Sequence, residues 1–173
     1  GACGVSACLG GDMAPSPIAA GGKVVAVMAD IGCFGIQPAG VGGAKESKIA
    51  WEQLGDGFEY AKLPSTTAPV SDGTYVYLCA DSDLVCLNLK DGKLVYEQEM
   101  KERACYASPS LVGDKLYLYT GPKTYVVQAG KAFKLLRENT IEEHHDASPA
   151  FAPGRMYIRG EKHLYAIGKE SRR

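Results

Sequence analysis

The sequence predicts an all-β fold made of repeated four-stranded antiparallel sheets, and three observations carry that prediction. First, residue choice favours strands. The 173 residues include ten Tyr, 21 Gly and nine Pro, and Val, Ile and Leu fall in short alternating runs. Second, good amphipathic helix patterns are absent. The one candidate, KAFKLLRENTIEE at 131–143, reads better as a strand followed by a loop. Third, four segments align on their prolines. APSPIAAGGKVVAVMA, TTAPVSDGTYVYLCA, YASPSLVGDKLYLYT and DASPAFAPGRMYIRG bring Pro17, Pro69, Pro109 and Pro149 into register at offsets of 52, 40 and 40 residues.

Each part of the repeat has a physical reason. A small residue precedes each proline, and the proline opens a first strand, where a missing N–H does least harm to a ladder. Gly follows four or five residues later, and pairs such as Asp72-Gly73 and Gly113-Asp114 supply tight turns that tolerate positive φ. An alternating apolar strand comes next: KVVAV, TYVYL, KLYLY and RMYIR. A further strand follows a short turn, as DLVCLNL (83–89), TYVVQAG (124–130) and HLYAIG (163–168). An outer strand closes the unit. It is KLVYE around Tyr96 and FKLLR around Leu136, each 27 residues after its proline. In the first unit it is KIAWE around Trp51, displaced by an insertion that includes PAGVGGAKES (38–47). A period near 40 residues with four strands per unit signals a β-propeller. The expected organisation is one partial propeller domain over 1–173, with repeats at about 12–63, 64–104, 105–144 and 145–173.

The segment LVCLNLKDGKLVYE (84–97) resembles the repeat of pyrroloquinoline-quinone (PQQ)-type propellers, whose consensus runs roughly LYALDAKTGKLLWE. Leu84, Leu87, Gly92 and Lys93 match it, while Asn88, Asp91 and Tyr96 replace Asp, Thr and Trp. The ending SPAFAPGRMYIRGEKHLYAIG (148–168) is similar to the last repeat of secreted bacterial PQQ-like, BamB-like propellers. The resemblance spans about residues 12–168. It implies a periplasmic or secreted bacterial protein and a non-catalytic scaffold or binding module. It also implies that the outer-strand Trp is a packing anchor between blades, with Tyr96 and Leu136 in its place in the degenerate repeats. Such rings close with about seven or eight blades. Three arrangements fit four repeats: the C-terminal half of a longer protein, two copies self-associating into one ring, or four blades closing alone. In the first two, residues 1–12 add a strand that completes a blade. An open arc has two apolar flanks, and large exposed apolar patches mark interaction surfaces. The last repeat also lacks an outer strand before the sequence stops at GKESRR (168–173).

Composition narrows the partners. The chain is 46% apolar and 23% charged, which suits a packed core. A net charge of −1 gives no electrostatic reason to expect nucleic acid or an anionic membrane surface. The longest apolar stretch, 24–36, contains Asp30 and falls short of the ~20 residues of a membrane helix. The start, GACGVSACLGG, lacks the basic and apolar regions of a signal peptide; a leader removed upstream and a tag remnant at Gly1 are both compatible with it. Six cysteines are present, none in a C-x-x-C pair. Cys79 and Cys86 flank a tight turn, so they either bridge a hairpin as a disulfide or pack as two small apolar groups. The states of Cys3 and Cys8 stay open.

The stretch HHDASP (144–149) looks like a metal or acid–base centre. Aligned on the prolines, it occupies the slot of CYASP (105–109) and TTAP (66–69), just before the innermost strand and near one mouth of a central channel. Cys105, Tyr106, His144, His145 and Asp146 are therefore the candidate ligand-binding residues. Neighbours on a strand face opposite ways, so His144 and His145 do not chelate one ion together. Asp146 joins His144 more readily, with Glu142 or Glu143 from the preceding loop. The competing reading is a polar loop whose His and Asp cap strand ends. No catalytic residue, metal ligand or cofactor is assigned. A quinone- or metal-dependent oxidoreductase, or a hydrolase, at the channel mouth is the alternative function. Trp51 sits at the structural repeat position, and no adjacent Cys-Cys pair accompanies it. GVGGAKES (40–47) fails as a phosphate loop, because Ala44 precedes Lys45 and Glu46 follows it. The tyrosines Tyr75, Tyr77, Tyr117, Tyr119 and Tyr157 read as cross-strand packing. Arg155, Arg159, Lys162 and His163 read as a solvated basic hairpin. An unidentified protein or small ligand is the expected partner.

Overall fold

The computed structural model describes residues 14–29, 31–43, 45–53, 63–80, 83–100 and 106–168. Four antiparallel sheets follow one another along the chain. Blade 1 is β1 (Ile18–Ala20), β2 (Lys23–Met28), β3 (Gly32–Gln37) and β4 (Lys48–Gln53). Blade 2 is β5 (Val70–Ser71), β6 (Tyr75–Ala80), β7 (Asp83–Asn88) and β8 (Leu94–Glu99). Blade 3 is β9 (Ser110–Val112), β10 (Lys115–Thr120), β11 (Lys123–Gln128) and β12 (Leu135–Thr140). Blade 4 is β13 (Ala150–Ala152), β14 (Arg155–Arg159) and β15 (Leu164–Gly168), three strands among the described residues. Within each sheet the strands lie in chain order. The propeller fold expected from the repeat is the fold observed. No helix occurs among the described residues, and none is long and apolar enough to cross a membrane. Residues 135–140 of the one helix candidate form β12.

Alternation along the strands makes the blades stack. In β6, Val76 and Leu78 point to blade 1, where Val25, Val27, Cys33 and Trp51 meet them with Val85 and Leu87 of β7. Tyr77 and Cys79 point to blade 3, where they pack with Leu84, Cys86, Leu116, Leu118, Tyr125 and Val127. A fully buried side chain of this kind contributes roughly 1.5–3 kcal/mol, so these two inter-blade cores dominate the stability. β3 is the strand that the repeat alignment did not single out. Its Gly32, Cys33 and Gly35 carry little strand preference, and it pairs with β2 to turn the longest apolar stretch into a hairpin.

Every four-stranded blade has a register shift between its third and fourth strands, at Gly35/Ile36, Cys86/Leu87 and Val126/Val127. The shift sets Trp51 opposite Gly35, Tyr96 opposite Cys86 and Arg137 opposite Val126. The counterpart of Trp51 and Tyr96 in blade 3 is therefore Arg137, not Leu136. Leu136 is the bulged residue, as Ala50 and Val95 are in their blades. The loop before β12 is one residue longer than the loop before β8, running 129–134 against 89–93, so a count from the proline lands one residue early.

Trp51 shows what this position does. It is 7% exposed, and its indole Nε1 donates to the Leu89 carbonyl of blade 2 at 2.9 Å. The ring lies flat over Gly35, where any side chain would overlap it. On its other side it meets Gly92, held at φ +73°, where an added Cβ would come within 2.5 Å of the ring. The Asp91-Gly92 turn thus serves both the hairpin and the blade interface.

The Cys79–Cys86 disulfide is not formed. The ladder sets Cys79 opposite Leu84 and Cys86 opposite Tyr77, so the two sulfurs sit diagonally on one face, too far out of register to bond. Both are buried, and Cys33 and Cys86 are thiols that burial pushes up to about 12. Cys3, Cys8 and Cys105 lie outside the described residues.

The two flanks of the arc differ. Ala26, Met28 and Phe34 on the outward face of blade 1 are buried. On the outward face of blade 4, Leu164 is 69% exposed.

Candidate functional site

The connection from β12 to β13 carries the HHDASP stretch. It passes over the β10–β11 turn, where Ile141 N–H donates to the Pro122 carbonyl at 2.9 Å and the His144 ring lies beside Gly121. Its two ends have separate jobs, and both are structural.

At the Ser-Pro end, Ser148 Oγ accepts a hydrogen bond from Ser108 N–H at 2.9 Å. One blade earlier, Ser108 Oγ accepts from Ala68 N–H at 2.9 Å. The serines before Pro109 and Pro149 therefore each tie their inner strand to the backbone of the preceding blade, 40 residues back. The small residue before the proline was visible in the repeat, but its reach across blades was not. Ser108→Ala is expected to cost about 1 kcal/mol, because it leaves Ala68 N–H without its acceptor. A guanidinium melt reads this, and an unchanged midpoint would count against the tie.

At the start of the connection, Glu143 is committed to blade 4. Its Oε2 accepts from Lys162 N–H at 2.9 Å and from His163 N–H at 3.2 Å, and its Oε1 pairs with His163 Nδ1. These donors, His163 first, hold the Glu143 carboxyl down at about 2. Glu143 thus anchors the β14–β15 turn and does not join His144.

Of the predicted residues, the structure brings His144 and Asp146 together, with Nδ1 and Oδ2 3.6 Å apart and both side chains half exposed. It separates His145, which is 2% exposed and packs edge-on against Tyr119 at 5.8 Å between ring centres. Among the described residues, neither ring nitrogen of His145 has a hydrogen-bond partner. Tyr106 stands out at 73% exposed, and Cys105 lies outside the described residues. Among the described residues no three His, Cys, Asp or Glu side chains converge on a metal. The basic hairpin splits in two, since Arg155 and Arg159 sit at opposite ends of β14. Tyr77 and Tyr119 are core residues at 0% and 1% exposure.

His145 makes stability depend on pH. Burial, and secondarily the nearby His144, lower its pKa from 6.5, while Asp146 opposes them. The folded state holds the ring neutral, so the unfolded state binds more protons once pH falls below 6.5. The stability this residue supplies is complete above that value and declines as pH falls from it toward the lowered folded value. His145→Leu should flatten the stability profile below about pH 6.5. Denaturant melts at stepped pH would show this, and equal slopes in the two proteins would refute it.

A second feature was not legible in the repeat. Between blades 3 and 4 lies a cavity of about 690 Å³. Tyr117, Phe151 and Met156 line its apolar part, and Lys115, Arg137 and Arg155 also line it. The one sequence signal for it is Arg137 at the anchor position, which the longer loop before β12 disguised.

No protein-family model and no curated protein matches the sequence. Solved structures do resemble the fold. BamB from Moraxella catarrhalis superimposes with a TM-score of 0.70 at 11% identity, over 90% of this chain and 50% of that one. AztD from Citrobacter koseri gives 0.68 at 10% identity, over 91% and 44%. The quinohemoprotein alcohol dehydrogenase ADHIIG from Pseudomonas putida HK5 gives 0.59 at 11% identity, over 85% and 28%. The chain thus spans half or less of the length of each. At these identities the likeness shows the fold, which is that of BamB and PQQ-type propellers.

Proposed function

We propose that this chain is a non-catalytic propeller unit of the BamB-like, PQQ-like class, serving as a protein-binding scaffold in an extracytoplasmic bacterial compartment. One observation carries the reading: in the loop that most resembled a reaction centre, Glu143, His145 and Ser148 are committed to structure, which leaves only the half-exposed pair His144 and Asp146. Ser148 ties blade 4 to blade 3, Glu143 fastens the β14–β15 turn, and His145 is a buried packing residue. The fold shared with BamB supports the scaffold reading. The buried Cys33 and Cys86 thiols are compatible with an oxidising compartment, because a thiolate is the reactive form. Docking uses exposed loops and strand edges, by strand addition or side-chain contact. Tyr106 on the loop before β9 and Leu164 on β15 are the exposed apolar groups placed for it.

The test has two arms. A photo-crosslinking amino acid at Tyr106 and at Leu164 should capture a discrete protein in cells of the source organism, whereas one at buried Leu118 should not. Metal analysis and absorbance spectra of the purified protein form the second arm. A stoichiometric metal or a quinone chromophore there would refute the scaffold reading in favour of the oxidoreductase.

A further inference from the structure

We infer that the cavity between blades 3 and 4 is a binding site for a small anionic amphiphile, such as an aliphatic carboxylate. This goes beyond the scaffold role and does not depend on it.

The chain itself supplies the comparison. Its three blade interfaces are built from equivalent strands. At the first, Trp51 fills the space between blades and bonds to Leu89. At the second, Tyr96 fills it, meeting Phe133 edge-on at 6.5 Å between ring centres. At the third, the same register position holds Arg137, and about 690 Å³ is open. That volume lies within the range of small-molecule pockets. The pair Tyr117–Phe151, at 5.2 Å, spans this interface beside the opening, so the blades are in contact and the cavity has two walls.

The lining decides the occupant's chemistry. Its apolar wall, with Tyr117, Phe151 and Met156, suits an aliphatic or aromatic body. Its charged groups are Lys115, Arg137 and Arg155, and no lining residue is acidic. Lys115 is already paired, with its Nζ 2.8 Å from Asp114 Oδ1. Among the described residues, Arg137 donates only to the neighbouring Leu136 carbonyl, at 3.1 Å, and no carboxylate pairs with it or with Arg155. Guanidinium groups lining an apolar slot suit an anionic head, because the planar fork takes a carboxylate bidentately. A cation meets repulsion there, and a neutral head leaves the guanidinium groups to water.

Isothermal titration of the full chain with dodecanoate and dodecylammonium below their micelle concentrations, and with dodecanol below its solubility limit, tests the inference. Saturable binding of dodecanoate is expected, with an affinity about tenfold or more above the other two, the scale of a charge-assisted hydrogen bond. In the Arg137→Ala/Arg155→Ala variant that preference should vanish while the thermal midpoint holds, since both side chains are exposed. Met156→Trp keeps both charges and fills the slot, and should weaken all three ligands together. Equal affinity for dodecanoate and dodecylammonium, or for dodecanoate and dodecanol, would overturn the proposal. So would non-saturating uptake, or an Arg variant that binds as the parent does. Protein capture at Tyr106 or Leu164 is read separately, so the two readings can fail independently.

Discussion

Replacing Trp51 by Ala is expected to lower folding stability by about 3–5 kcal/mol, the range for losing a buried large aromatic. Three losses combine. The indole fills the space between blades 1 and 2, its removal leaves the Leu89 carbonyl without its donor, and Gly35 and Gly92 then face a void shaped for a ring. Neither glycine has a side chain that can relax into that void, so the site collapses poorly. Stacked repeats are held by nearest-neighbour interfaces, and this core is the one that joins blade 1 to blade 2. The variant should therefore melt in two steps, with blade 1 lost first. Guanidinium melts followed by far-ultraviolet circular dichroism would show an early transition and a lower midpoint. A single transition displaced by less than about 1 kcal/mol would mean that Trp51 is not the anchor its burial implies. Tyr96→Ala should cost less, because Tyr96 is only half-buried.

The order of strands was legible because the forces that set it are local. Proline at a strand start, Gly in a turn and alternation along a strand are written within a few residues of where they act. Two things that depend on register were not. The bulge before Trp51, Tyr96 and Arg137 is a property of a strand pair, and one extra loop residue before β12 was enough to hide Arg137 behind Leu136. The third strand of blade 1 was missed for a related reason. Its Gly35 is there to receive Trp51, so the residue that makes the interface weakens the strand signal.

The candidate site divides in the same way. The adjacent histidines do face apart, His145 buried and His144 half exposed, but they lie in the loop between β12 and β13, so packing against Tyr119 and not strand alternation separates them. That Glu143 reaches forward to Lys162 and His163, and that Ser148 reaches back to Ser108, were not readable. Both are contacts between repeats, and their partners are fixed only when blades stack. Among the polar residues of HHDASP, Ser148 meets backbone groups of the neighbouring blade, His144 and Asp146 face each other, and His145 packs in the core.

Tyr77→Phe carries a large expected loss for a change of one oxygen atom, about 1–3 kcal/mol. The Tyr77 hydroxyl donates to Asp72 Oδ2 at 2.7 Å and accepts from Gly130 N–H at 2.7 Å. It therefore links the β5–β6 turn of blade 2 to the end of β11 in blade 3. Burial, and then Asp72, push its pKa upward, so the phenol keeps its proton and remains a donor at every pH the fold survives. Phe keeps the ring packing and strands two groups at once, the Gly130 N–H and one carboxylate oxygen. The turn itself should survive, because Asp72 Oδ1 still accepts from Thr74 and Tyr75 N–H at 2.8 and 2.7 Å. Asp72→Ala removes the turn bonds as well and should cost more. Tyr117→Phe, at the looser interface of blades 3 and 4, is the matched control and should stay within about 0.5 kcal/mol. Chemical melts of the three variants give the ranking Asp72→Ala, Tyr77→Phe, Tyr117→Phe. If Tyr77→Phe instead matches Tyr117→Phe, the apolar core between blades 2 and 3 and the Ser108 tie hold those blades together, and the hydroxyl bridge contributes nothing to stability.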